Sequence, residues 1–330
     1  MRWKLSKVAA GEMTGLADAA LLAAVATGSL LGASALTRAR WPRRSPAAAI
    51  VLWQALGLAG GLAAVGTLVS LSLPGDNLGV ARSILHLGTV FPDTAFRSPV
   101  AFGTVSVLPA MLLICRLACL AAGLALLASL CWVLIAAFAA VRQAQHRQRE
   151  LLSLLAHGDP KVPGALVVDS PTAAAYCLPG LRSRIVVLSA GTLELLGRGE
   201  LAAVLAHERA HLRERHDLVL LPFSALRRAF PRSATCAAGQ RAVALLVEML
   251  ADDRALRGRP TRELVSALVR FGTAGTGPAP AGALAAGEGD MVARVSRLMN
   301  PVRPLPAVTS VAIVLGSGLL VAATLALLLV

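Results

Sequence analysis

Four long, uncharged runs of apolar residues constrain this chain more than any other feature of its sequence. They cover about residues 19–36, 48–73, 117–141 and 308–330, and each contains 18 residues or more. A helix of roughly 20 apolar residues spans the hydrocarbon core of a bilayer. Since 56% of all residues are hydrophobic, we predict a polytopic α-helical membrane protein with four transmembrane helices, three of them within residues 1–141.

Basic residues between the apolar runs indicate an orientation. The segments after the first and third runs are rich in arginine: Arg38, Arg40, Arg43 and Arg44, then Arg142, Arg147 and Arg149. In the loop 74–104 two arginines are balanced by two aspartates. Short loops rich in Lys and Arg stay on the cytoplasmic side. We therefore expect a multi-pass protein of the cell membrane, with an extracytoplasmic loop 74–104 and a cytoplasmic region 142–307. The basic residues Arg2, Lys4 and Lys7 favour the opposite orientation.

The net charge of +14 bears on possible partners. Basic segments beside a membrane are attracted to anionic lipid, but basic residues can also bind the phosphates of nucleic acid. The sequence has no zinc-finger, RNA-binding or recognition-helix signature. We expect the lipid bilayer as a partner and no direct binding of nucleic acid. The five cysteines form no CxxC pair, which predicts reduced thiols.

Residues 142–307 have the pattern of a small α+β domain. The β-branched runs 165–169 and 184–191 predict two strands. From Gly199 the apolar residues recur at helical spacing, and Pro222 should kink or end that helix. A second helix is predicted over 240–257. Residues 272–289 are rich in Gly, Ala and Pro and predict a flexible linker, followed by a short amphipathic helix.

Scarce histidines cluster in the run LAHERAHL, and the chain has only six. His207 and His211 are four residues apart, so a helix presents both imidazoles on one face, where they can bind one metal ion. Glu208 can reach a water at that metal and act as the catalytic base. Glu248 and Asp252 share a face of the second helix. Glu248 would complete a His₂Glu zinc site, and Asp252 could orient a ligand imidazole.

The run HERAH, followed by VEMLADDRA, resembles the HExxH…ExxADxxA pattern of the membrane-embedded gluzincin peptidases. Two branches share this pattern, the HtpX/CAAX-processing peptidases and the BlaR/MecR signal-transducing peptidases. Three predicted spans before the domain and one after it resemble the BlaR/MecR branch, and so does AYCLPG before the second strand. The resemblance implies a zincin-like fold in which zinc is bound by His207, His211 and Glu248, and in which Glu208 is the base.

The same resemblance implies a protein substrate, namely a DNA-binding repressor of the BlaI type. Two alternatives stay open: an HtpX-like protease that degrades damaged membrane proteins, and a non-enzymatic sensor or scaffold with a structural zinc. Members that sense β-lactams carry a penicillin-binding domain with a Ser-x-x-Lys nucleophile. Lys4, Lys7 and Lys161 are the lysines here, and none follows a serine by three residues. We expect sensing through the loop 74–104, the spans or a partner.

Other polar residues near the motif are weaker candidates. Tyr176, the only tyrosine, could donate a hydrogen bond to the developing oxyanion, or its ring could simply pack. His216 should contact a metal-binding residue or lie in solvent, rather than bind the metal itself. Arg254 could face the site or a helix terminus. Cys177 is expected to be a small buried hydrophobic residue.

Overall fold

The computed structural model describes residues 2–73, 107–160, 162–180, 184–274 and 288–329. The predicted loop 74–104 and most of the predicted linker 272–289 lie outside these residues. In chain order the helices are α1 Arg2–Arg38, α2 Pro46–Ser72, α3 Val107–Leu155, α4 Ala190–Leu195, α5 Arg198–Glu214, α6 His216–Ala229, α7 Ala234–Ala255, α8 Thr261–Ala274, α9 Glu288–Met299 and α10 Ala307–Leu329. The strands are β1 Ala156–Gly158, β2 Ala165–Val168, β3 Ala175–Leu178 and β4 Ile185–Ser189.

The chain divides into two compact units. The first contains Met1–Arg38, Val51–Trp132 and Val308–Val330, and the second contains Ala39–Ile50 and Val133–Ala307. Long apolar helices make up the first unit, and small residues let them approach closely. A Cβ atom on Gly60 would lie 2.9 Å from Cβ of Ser29, and one on Gly123 would lie 3.2 Å from Cβ of Leu68. Close packing through small residues is typical of helices in membranes.

Among the described residues, five helices are long and apolar enough to cross a membrane: Gly15–Arg38, Pro46–Ser72, Met111–Leu155, Ala234–Ala255 and Ala307–Leu329. Four of them coincide with the predicted spans. The fifth is α7, which carries several charged residues and belongs to the second unit. Its Glu248 and Asp252 are buried, so we assign α7 to the folded domain.

A four-stranded sheet in the order β1-β2-β4-β3 lies in the second unit. The strands β2 and β4 are parallel, while β1 and β3 pair antiparallel with them at the two edges. Successive residues of a strand point to opposite faces. Val186 and Leu188 of β4 accordingly pack with Leu205 of α5, whereas Val187 packs with Leu152 at the end of α3. The sheet is therefore covered on both faces.

Helix α5 lies between the sheet and a layer of helices. Gly197 precedes it, and the Gly197 N–H donates to Oε2 of Glu200 at 2.7 Å, which closes the first turn. The face away from the sheet packs through Ala203 on Ala255 of α7 and Leu264 of α8. Because α5 is held on both sides, the side chains of its motif occupy fixed positions.

Helix α5 ends earlier than the sequence predicts. Pro222 was expected to kink or end it, but the break is at Arg215, whose backbone is left-handed with a φ of 53°. Pro222 lies inside the following helix, α6. Burial of Leu220 and Phe223 on either side of Pro222 stabilises α6 despite the hydrogen bond that proline cannot donate. The strands β1 and β3 were also not predicted.

Candidate metal centre

Three side chains converge between α5 and α7. Nε2 of His207 lies 3.1 Å from Nε2 of His211. The carboxylate of Glu248 is close to both: Oε2 is 3.3 Å from Nε2 of His207, and Oε1 is 3.4 Å from Nε2 of His211. All three side chains are about nine-tenths buried. Together they form a group that could hold a metal ion.

The spacing of these atoms suits a tetrahedral zinc ion. Zinc binds imidazole nitrogen and carboxylate oxygen at about 2.0–2.2 Å, which places tetrahedral ligands roughly 3.3 Å apart. The separations of 3.1 to 3.4 Å agree with this value, with each imidazole facing a different oxygen of Glu248. Two imidazoles and one carboxylate are also the ligand set of catalytic zinc sites that leave the fourth position open. The residues present therefore fit zinc.

Both imidazoles have a polar atom within 3.0 Å of their second nitrogen. Nδ1 of His207 lies 3.0 Å from Oδ1 of Asp252, a carboxylate with no exposed surface. Nδ1 of His211 lies 2.9 Å from Nδ1 of His216. Such neighbours hold the imidazole of a metal-binding histidine in place and keep its proton on Nδ1, so that Nε2 is free to bind a metal. Asp252 lies where the sequence predicts it.

Arg294 is a member of the site that the sequence interpretation missed. It lies on α9, is 4% exposed, and donates from Nε and Nη2 to the two oxygens of Asp252 at 2.9 and 2.6 Å. Its Nη1 is 2.8 Å from Oε2 of Glu248. One signal was present in the sequence. Arg294 shares the apolar face of α9 with Met291 and Leu298, and a charge on such a face needs a buried partner.

The charges in this cluster shift the pKa values of its members. Burial lowers the pKa of His207, but hydrogen bonds to Asp252 and Glu248 outweigh it and raise that pKa to about 9. Burial lowers the pKa of His211 to about 3. Burial alone would raise the pKa of Glu248, yet His211, His207 and Arg294 hold it well below its usual range. At neutral pH the pair of histidines thus carries one positive charge, and the proton responsible for that charge is the one that a bound metal ion would replace.

Glu208 differs from Glu248 in its surroundings. Its pKa is raised, mainly by burial and further by the nearby charge of Glu248. The Cys177 thiol of β3 forms a hydrogen bond with the Glu208 carboxylate. Burial of the thiol and the negative charge of Glu208 both raise the thiol pKa well above its usual range. Cys177 is therefore a protonated donor to Glu208. The sequence interpretation gave Cys177 only a packing role.

The remaining predicted candidates lie apart from this cluster. Tyr176 precedes Cys177 on β3 and faces the opposite side of the sheet, where its ring packs with Leu152 and Leu178. Burial raises the pKa of its hydroxyl, which bonds to Gln148. The structure thus does not bring Tyr176 to the site. Arg254 donates from Nε to Oε1 of Glu214 rather than to a ligand.

Comparison with known proteins bears on the central part of the chain. Residues 141–250 match the model of Peptidase family M48, and the match includes His207, His211 and Glu248. No curated protein and no solved structure matched the chain. Metallopeptidases of this family are usually zinc-dependent. The family match supports a metallopeptidase domain of the M48 type at residues 141–250.

Proposed function

We propose that the chain is a membrane-embedded zinc endopeptidase whose site faces the cytoplasm. His207, His211 and Glu248 hold the zinc, and Glu208 is the catalytic base. The observation that supports this most directly is the mutual spacing of 3.1 to 3.4 Å among the three ligand groups. The partly buried carboxylate of Glu208, the residue after His207, supplies the base that peptide hydrolysis needs.

The residues divide the chemistry among them. A bound zinc ion lowers the pKa of water toward about 7 and polarises a peptide carbonyl. Glu208 takes the proton from the attacking water and delivers it to the leaving amine. The raised pKa of Glu208 makes its carboxylate a stronger base toward the proton of the attacking water. Asp252 holds the ring of His207 in a fixed orientation, with Nε2 toward the metal site.

For the substrate, we propose a DNA-binding repressor of the BlaI type, so that its cleavage would switch on transcription. The support is the resemblance of the motif pair and of the order of apolar helices to the BlaR/MecR branch. A shared fold does not assign a substrate, so this proposal needs its own assay.

The test uses the full-length protein purified in detergent. Zinc per chain is measured in the wild type, His211→Ala and Glu248→Ala. Cleavage of a BlaI-type repressor and of casein is then followed for wild type and Glu208→Gln. We expect about one zinc per chain, lost in both ligand variants, and cleavage of the repressor at one bond by the wild type alone.

Other results would contradict specific parts of the proposal. Zinc absent from the wild type, or unchanged in Glu248→Ala, would overturn the metal site. Cleavage by Glu208→Gln at the wild-type rate would refute the role of the base. Degradation of casein or unfolded membrane proteins at many bonds, with the repressor intact, would refute the signalling role and favour a housekeeping protease.

A further inference from the structure

His216 lies outside the HERAH motif, yet its ring is 2% exposed and contacts a proposed zinc ligand. Its Nδ1 is 2.9 Å from Nδ1 of His211, and the two rings meet edge to face at an interplanar angle of 88°. The contact crosses the break between two helices, because His211 is on α5 and His216 begins α6. The left-handed Arg215 directs the chain so that this contact forms.

The hydrogen atoms of this contact follow from the chemistry of the site. A metal-binding Nε2 of His211 must be free of hydrogen, so its ring proton is on Nδ1. Two Nδ1 atoms at 2.9 Å need a single proton between them, and His211 donates it. Nδ1 of His216 is then the acceptor, and its own proton is on Nε2. That nitrogen lies 3.6 Å from Oε2 of Glu214, beyond hydrogen-bond distance, and Glu214 itself accepts from Arg254.

We infer that His216 is a positioning residue for His211, acting as a neutral hydrogen-bond acceptor that fixes its tautomer and ring orientation. The inference rests on the proposed function, since it requires His211 to be a zinc ligand. It gives the second imidazole the same kind of support that Asp252 gives to His207. Partners of this kind typically contribute 10–100-fold in metal affinity.

A neutral acceptor suits this position better than a second carboxylate. Glu208, Glu248 and Asp252 already place three carboxyl groups around the cluster, and Arg294 is the cation that pairs with Glu248 and Asp252. A further buried negative charge would lose its hydration and would need its own cationic partner.

The experiment compares three substitutions at one position. His216→Asn keeps an oxygen acceptor close to the position of Nδ1, whereas His216→Leu and His216→Phe fill the space without one. His157→Leu, at an exposed position in β1, is the matched control. For each full-length variant in detergent, the zinc dissociation constant is measured by chelator competition, and the melting temperature is measured without metal.

We expect the zinc dissociation constant to rise about 10–100-fold in His216→Leu and His216→Phe. It should stay close to the wild-type value in His216→Asn and His157→Leu. Without metal, the two apolar variants should melt no lower than His216→Asn, because their side chains fill the buried space. This combination separates positioning from packing, since a purely structural role would leave zinc affinity unchanged wherever the protein folds.

Three results would overturn the inference while leaving the proposed function intact, two in zinc affinity and one in folding. One is wild-type zinc affinity in His216→Leu or His216→Phe, and the other is equal weakening in His216→Asn. If both apolar variants fail to fold while His216→Asn folds and binds zinc normally, the residue has a folding role and the inference is also refuted. A wild type that binds no zinc would overturn the proposed function itself.

Discussion

At the scale of single residues, Glu208 and Glu248 show one side chain type in two different electrostatic environments within one cluster. Glu248 is surrounded by His207, His211 and Arg294, which keep it ionised and suited to bind a cation. Burial raises the pKa of Glu208, although the hydrogen bond from the Cys177 thiol lowers it, and the higher pKa suits Glu208 to exchange protons. Titratable neighbours whose pKa values are moved in opposite directions are a mark of divided acid–base and binding roles.

Replacing the proposed base should separate metal binding from catalysis. In Glu208→Gln the ligand atoms are unchanged, so zinc per chain should equal that of the wild type. The rate of peptide cleavage should fall about 10²–10⁴-fold or more, because no group remains to take the proton from water. Zinc analysis and a peptide-cleavage assay on the same preparation check this. Glu194→Gln, at an exposed position on α4, is the control and should keep full activity.

The residues of the site differ in how far the sequence predicts them. His207, Glu208 and His211 could be placed together because the spacing of a helix is fixed. Glu248 and Asp252 required a second helix to pack against the first, and the acidic pair on one face indicated it. His216 and Arg294 could not be positioned, because their contacts depend on the break at Arg215 and on how α9 docks.

At the scale of elements, α9 is attached to α7 through two arginines one turn apart. Arg294 pairs with the buried Asp252. Arg297 donates from Nη1 and Nη2 to the two oxygens of Asp253 at 2.8 and 2.9 Å. The two pairs have similar geometry but different solvent exposure: the side chains are 5% and 1% exposed in the first pair, and 18% and 39% in the second. They therefore form a natural comparison of a buried and an exposed ion pair.

Breaking the buried pair should destabilise the domain far more than breaking the exposed one. Arg294→Gln leaves the Asp252 charge buried with its arginine partner removed, and we expect the free energy of unfolding to fall by about 3–5 kcal/mol. Arg297→Gln should cost about 0–1 kcal/mol, since water replaces the lost partner. Denaturant unfolding in detergent, without metal, measures both values. Equal losses would show that burial does not decide the energy of these pairs.

The boundaries of helices and strands show where local sequence patterns no longer suffice to predict the structure. The strands β2 and β4 follow from runs of Val, Ile and Leu. The edge strands β1 and β3 contain only three and four residues and form through pairing with their neighbours. The end of α5 has no proline or glycine at residue 215. It depends on long-range packing of α6, which no local pattern contains.

At the scale of the whole molecule, the apolar runs predicted four helices that the structure contains. Composition alone does not distinguish a span from a buried helix, since α7 passes the same criteria of length and hydropathy. The difference lies in tertiary structure, because α7 buries Glu248 and Asp252 against partners on α5 and α9. A helix that crossed a bilayer would have to place these carboxylates in lipid, at a cost of several kcal/mol.

The number of spans leads to a topology that can be measured directly. If α7 does not cross the membrane, residues 157 and 302, which flank it, lie on the same side. If α7 crosses, they lie on opposite sides. His157 and Val302 are both exposed, and Val302 is 60% exposed. Single cysteines at these two positions and at Asn77, in a chain without its native cysteines, can be labelled with a membrane-impermeant maleimide.

The positive-inside rule predicts the outcome for each cysteine. In intact cells Asn77→Cys should be labelled, whereas His157→Cys and Val302→Cys should react only after the membrane is permeabilised. On this rule the basic segments 38–44 and 142–149 would keep the adjoining ends of the predicted spans on the cytoplasmic side. Labelling of Val302→Cys but not His157→Cys in intact cells would make α7 a transmembrane helix. It would also move the proposed ligand Glu248 into the membrane, where a soluble repressor could not reach it.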